Sequence, residues 1–170
     1  MKRYAFIFAI VAICSLSSSF AQDEKDTTVE KFLKDWAGSL QKGDSDKMAG
    51  LYEDSNDVIA IQSTGKVRKG IGEIQKEYES AFNEIVFEKA ELQNLTLHHS
   101  GKIAWATCRF KADTKVKQDN SAWTLEIFTS FVLKRTGGKW HIVLEQSTPI
   151  GGIPRVRSRQ QPMTGEGNVQ

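Results

Sequence analysis

Disulfide capacity is the first thing this chain lacks. Its 170 residues hold two cysteines, Cys14 and Cys108, and Cys14 lies in an N-terminal leader. Lys2 and Arg3 precede an apolar stretch from Tyr4 to Cys14, a polar segment Ser15 to Ser19 follows, and Ser19-Phe20-Ala21 supplies small residues before Gln22. That is the pattern of a secretory signal over residues 1–21, so export to the periplasm or the medium is expected. The stretch Val11-Ala12-Ile13-Cys14 has Ile where a lipidation box wants a small residue. After cleavage only Cys108 remains, and a lone cysteine forms no internal disulfide. Flanked at alternate positions by Ala106 and Phe110, it reads as a buried structural thiol.

A long apolar run is also missing. No segment approaches the roughly 20 residues that a membrane helix requires, which excludes a lasting helical anchor. Charge of one sign is not in excess: the formal net charge is +2 before Lys2 and Arg3 are removed, so nothing points to nucleic acid. No His, Cys, Asp and Glu spacing suggests a metal site, no nucleophile elbow is present, and no cofactor motif occurs. The adjacent pair His98-His99 would point to opposite faces of a strand and makes a poor set of co-ligands. Gly70 and Gly72 open a helix without the Gly-Lys-Ser/Thr of a phosphate loop. The expectation is no cofactor and no metal.

What is present is strongest from Trp123 to Ser147, two apolar-rich runs separated by Arg-Thr-Gly-Gly-Lys. Val, Ile, Thr, Phe and Trp dominate both, and the glycines supply the positive φ of an antiparallel reversal. Both faces of each run carry apolar residues, which predicts a hairpin central in a curved sheet. Upstream, Thr27-Thr28-Val29-Glu30 has a capped-helix pattern, and Val29, Phe32, Leu33, Trp36, Ala37 and Leu40 share one helical face. Gly43 stops this helix, and Asp44 is placed to cap a second, short one carrying Met48, Leu51 and Tyr52.

Val58 to Gln62 reads as a short strand reversed by Ser63-Thr64-Gly65, and Ile71, Ile74, Tyr78, Ala81 and Phe82 form the stripe of a third helix. Two more strands run from Ile85 to His98 and from Ile103 to Lys115. The order predicts an α+β domain over residues 22–149, with helices on one face of a strongly bent, mostly antiparallel sheet. Beyond Pro149, glycine, proline and Arg155, Arg157 and Arg159 give residues 150–170 the composition of a disordered tail.

Trp36, the Gly43-Asp44 corner, Gly70 before the third helix and the closing Gly-Gly-Lys-Trp-His-Ile-Val strand resemble the SnoaL-like branch of the nuclear transport factor 2-like superfamily. The resemblance covers Thr28 to Pro149. It implies a cone-shaped fold, a sheet wrapped around a long helix with a pocket open at one end, and pairing into homodimers. Relatives of this kind include ketosteroid isomerase-like enzymes, polyketide cyclases, a kinase association domain and binding modules without chemistry, so the fold alone assigns no activity. Two departures matter. The first short strand carries no acid where the isomerase-like enzymes place theirs, and Gln146 stands where many relatives have a histidine that can titrate.

A pocket acid or base then has to be Glu145 or Glu126, the acids well inside the hairpin. Strand alternation groups Glu145 with His141 as a candidate acid–base pair, opposite Trp140, Ile142, Leu144 and Gln146. Glu126 is read as a cross-strand salt-bridge partner for a surface lysine. Trp36, Tyr52, Tyr78, Trp105 and Trp123, with Gln146, are the candidate lining of a site for a small apolar or amphipathic ligand. The leading expectation is an exported ligand-binding domain, homodimeric through its outer sheet face. The competing one is an isomerase- or cyclase-type enzyme using Glu145, and the third is a structural dimerisation module.

Overall fold

The structure, a computed structural model, describes residues 27–150. The leader over 1–21, the residues up to 26 and the tail from 151 lie outside the described residues. Helices α1 (Thr27–Lys42) and α2 (Ser45–Ala49) come first, then strands β1 (Ile59–Ile61) and β2 (Val67–Lys69), then helix α3 (Ile71–Glu84). Four long strands close the chain: β3 (Ile85–Ser100), β4 (Ile103–Val116), β5 (Ala122–Thr136) and β6 (Lys139–Pro149). They form one six-stranded sheet in the order β2-β1-β6-β5-β4-β3. The hairpin β5–β6 is central, as its two-sided apolar pattern requires.

The hairpin turns at Gly137 and Gly138, both at positive φ (59° and 82°), between the paired residues Thr136 and Lys139. Two consecutive left-handed residues match the twist of the flanking strands, and only glycine takes them without strain. The sheet is antiparallel except for β1, which runs parallel to β6 with Ala60 opposite Glu145. Short β2 pairs antiparallel with β1. It adds a strand where the sequence suggested only a reversal, because Lys66-Val-Arg-Lys shows no apolar alternation.

Helix α1 lies along the concave face and buries Val29, Leu33, Trp36, Ala37 and Leu40, the stripe read from its spacing. Asp44 caps α2, its side chain accepting from the Lys47 N–H at 3.0 Å. Opposite α1 the sheet contributes Ala104, Ala106, Cys108, Phe110, Phe131, Leu133 and Ile142, all buried. The Cys108 thiol is pushed up to about 12, chiefly by burial, so it stays protonated and inert. Among the described residues no helix is long and apolar enough to cross a membrane.

One irregularity reorganises the last strand. Val132 pairs with Leu144 but its neighbour Leu133 pairs with Ile142, so Val143 is an extra residue in β6. A bulge shifts the side-to-side alternation by one. Trp140 and Ile142 face inward before it, and Glu145 and Ser147 face inward after it. The expected grouping of Glu145 with His141, on the side away from Trp140 and Ile142, is therefore corrected.

Candidate active site

The bulge aims Glu145 into the core, where 9% of it remains exposed. Tyr52 reaches it because the segment after α2 runs beside β6. Ile142 N–H donates to Leu51 O and Glu53 N–H to Ile142 O, each at 2.9 Å, which bridges Tyr52 to Ile142. From there the Tyr52 hydroxyl donates to Glu145 Oε2. The Tyr52 and Tyr78 hydroxyl oxygens lie 2.7 Å apart, so β6, α3 and the α2–β1 connection deliver three polar groups to one spot.

Burial sets the protonation states. It pushes the Glu145 carboxyl up from 4.5 to about 7, while hydrogen bonds from Tyr52 and Tyr78 pull the other way without cancelling it. Burial, followed by the nearby Glu145 charge, drives both phenols well above their ordinary value. They remain neutral donors. The group that can gain or lose a proton near neutral pH is Glu145.

A cavity of about 200 Å³ opens beside this cluster and takes in Glu145 and Tyr78. Its inner wall is apolar, with Trp36, Ile74, Phe110 and Ile127. Trp36 is clamped edge-on by Phe110 and Phe131, with ring centroids 5.3 and 5.1 Å away. Its indole N–H is buried and makes no hydrogen bond. It does lie near enough to the Tyr78 oxygen to help hold that phenol's pKa down.

The rim is polar and comes from the β1–β2 turn (Gln62, Ser63 and Thr64), from β2 (Arg68) and from α3 (Glu77). Arg68 Nε donates to Glu77 Oε2 at 2.8 Å. Gln62 and then Arg68 hold Glu77 below its ordinary value, so this pair is charged. None of the rim was singled out from the sequence. The turn signal Ser63-Thr64-Gly65 was legible, but the register that brings Arg68 to Glu77 depends on β2.

The candidate residues divide. Trp36, Tyr78 and Glu145 line the cavity, and Tyr52 stands behind Glu145 as its donor. Trp105 is 45% exposed on the convex face, stacked on His98. Trp123 shares the concave side of β5 with Leu125 but lies beyond the cavity at the strand end, 39% exposed. Gln146 is exposed on the convex face, paired with Ser130 and Ile61, so its amide does not enter the cavity. His141 borders a separate hollow with Phe32, Leu51 and Trp140, and its Nδ1 is buried without a hydrogen-bond partner. Glu126 pairs with Arg109 and, at 3.7 Å, with Lys111, the salt-bridge role expected of it. Among the described residues, no three His, Cys, Asp or Glu gather as they would around a metal.

The family model described as a SnoaL-like domain matches residues 29–150. None of the curated proteins matches the sequence. Solved structures share the fold. A ketosteroid isomerase-like protein from Erwinia carotovora atroseptica superposes with a TM-score of 0.65 at 15% identity, over 76% of this chain and 99% of its own. A candidate scytalone dehydratase from Novosphingobium aromaticivorans gives 0.64 at 13% identity, over 75% and 93%. A candidate calcium/calmodulin-dependent protein kinase II association domain from Xanthomonas campestris gives 0.64 at 18% identity, over 74% and 87%. At such identities the likeness is one of fold.

Proposed function

The chain belongs to the SnoaL-like domain family, and from that premise we propose that it is an exported domain whose cone binds one small, largely apolar molecule bearing a polar group. The observation that carries this reading is the cavity of about 200 Å³ with an apolar inner wall and Glu145 in its lining. An engineered apolar cavity of about 150 Å³ accepts benzene, so this one is sized for a single ring or a short chain. The polar rim suits a substituent that stays in contact with water. Residues 1–21 support export, and the convex sheet face, where Ile103, Trp105 and Phe128 are exposed, supports a homodimer. The test of binding is a titration of the protein with cyclohex-2-enone and with toluene, followed by chemical shifts of cavity methyl groups. Absence of any shift at millimolar probe overturns the reading.

A second reading, proton-transfer catalysis, is favoured by the carboxyl at about 7 beside two neutral phenols. In it the Glu145 carboxylate removes a proton from the carbon next to a carbonyl, Tyr78 donates a hydrogen bond to the resulting enolate oxygen, and the proton returns to carbon. The carboxylate comes from the last strand rather than the first. Deuterium uptake by cyclohex-2-enone in D2O measures the first half of this chemistry without knowledge of the natural substrate. Glu145→Gln should reduce uptake to the buffer rate while the protein stays folded. Uptake unchanged in that variant removes Glu145 from the chemistry.

A further inference from the structure

We propose that Arg68 holds a carboxylate at the mouth of the cone, so that the molecule bound there is a small carboxylic acid anion with its apolar ring or short chain inside and its charged end at the rim. The proposal rests on the binding reading above and adds to it the chemical class and direction of the ligand. It does not require catalysis.

Glu145, Ala60 and Arg68 form one row across the sheet. Ala60 pairs with Glu145 on β6 and with Arg68 on β2, and residues paired across neighbouring strands project to the same face. All three line the cavity. With neighbouring strands roughly 4.8 Å apart, the side chains of Glu145 and Arg68 leave the sheet about 10 Å from each other. Only the methyl group of Ala60 stands between them. A ring or short chain lying over Ala60 therefore has the buried carboxyl at one end and the guanidinium at the other.

Arg68 is held in place by the protein. Its side chain is 28% exposed, and Nε and Nη2 both donate to one oxygen, Glu77 Oε2. Gln62 and then Arg68 keep Glu77 below its ordinary value, so the pair stays charged. This fixes one edge of the guanidinium against α3. The other edge, Nη1 with the second N–H of Nη2, makes no hydrogen bond among the described residues, and Nη1 is not sealed from solvent. A planar edge of this kind takes a carboxylate through two parallel N–H···O bonds.

The charges at the mouth favour the same class of ligand. Arg68 and Lys66 both act on Glu77, which makes two cations against one carboxylate. Glu145, deeper in the cavity, is protonated below about 7 and then adds no negative charge. A neutral amide of the same shape can accept from Arg68 but brings no charge to it. A cationic end meets repulsion.

The test uses the full chain with labelled Ile, Leu and Val methyl groups at about pH 6, where Glu77 is ionised and Glu145 mostly protonated. Phenylacetate and phenylacetamide differ in charge and hardly in shape. Both should move the methyl signals of Ile74 and Ile127, and phenylacetate should bind about fivefold or more tightly at low salt. The double variant Arg68→Gln, Glu77→Gln removes the guanidinium without leaving Glu77 as an unpaired charge. It should bind phenylacetamide within about twofold of the parent and prefer phenylacetate by less than about twofold. If that protein unfolds, Arg68→Lys keeps a cation opposite Glu77 without the planar edge, and should weaken phenylacetate about threefold or more with phenylacetamide unchanged. Phenylacetate binding no tighter than phenylacetamide in the parent, or a preference that survives loss of the guanidinium, would overturn the proposal while leaving the binding reading intact. Absence of every cavity shift with phenylacetate, phenylacetamide and toluene would overturn the binding reading, and the proposal with it.

Discussion

Tyr52 and Glu145 stand 93 positions apart in sequence, and the hydroxyl of one donates to the carboxyl of the other inside the core. The contact links the connection after α2 to the last strand. It also opposes the effect of burial, since it favours the ionised carboxylate that burial disfavours. Tyr52→Phe should therefore raise the Glu145 pKa further above about 7. Carboxyl 13C shifts of labelled glutamate followed against pH check the direction. The lost hydrogen bond should also cost about 1 to 2 kcal/mol in denaturant unfolding.

Stability should depend on pH through the same carboxyl. Its folded pKa of about 7 exceeds the ordinary 4.5, so between these values the folded protein holds a proton that the unfolded chain has released. This stabilising contribution is complete below pH 4.5 and is lost as pH rises through about 7. A shift of that size corresponds to about 3 kcal/mol as an order of magnitude. Glu77 and Glu126, whose pKa values are lowered, act in the opposite sense and only under acid. Glu145→Gln removes the first effect and keeps the second. The stability of this variant relative to the parent should rise by about 3 kcal/mol from pH 4.5 to pH 8, and a difference independent of pH would contradict the buried carboxyl.

The bulge explains why the face of Glu145 could not be read from sequence. Ile142-Val143-Leu144 is uniformly apolar and β-compatible, so nothing marks Val143 as the extra residue. A bulge is chosen by the partner strand and the bend of the sheet, which are long-range properties. The alternation of β4, the stripe of α1 and the Gly137-Gly138 turn were legible because each is a local pattern with one structural solution. Trp36 and Tyr78 were found as aromatics on buried stripes. Trp105 looked the same in composition, yet its parity on β4 puts it with Ile103 and Arg109 on the convex side.

That convex side supports a prediction about association. Phe128 is 56% exposed, and Ile103 and Trp105 are exposed on the same face of β4 and β5. Water contact with this much apolar surface is unfavourable, and a second copy related by a two-fold axis would cover both patches at once. Sedimentation velocity at micromolar protein should show a dimer, and Phe128→Glu should shift it to monomer without changing the far-UV spectrum. A parent protein that sediments only as monomer would remove the dimer.

Ala60 offers a way to tell a binding cavity from a packing void. It lines the cavity, opposite Glu145 across the parallel β1–β6 pairing. Ala60→Leu would project a longer apolar side chain into the space a ligand would take, with the Tyr52–Glu145 contact left alone. Filling an empty apolar volume commonly stabilises a protein by about 0.5 to 2 kcal/mol. The variant should therefore unfold at equal or higher denaturant than the parent, and it should bind cyclohex-2-enone at least tenfold more weakly by the same methyl-shift titration. Undiminished binding in a stable Ala60→Leu protein would locate the probe outside the cone.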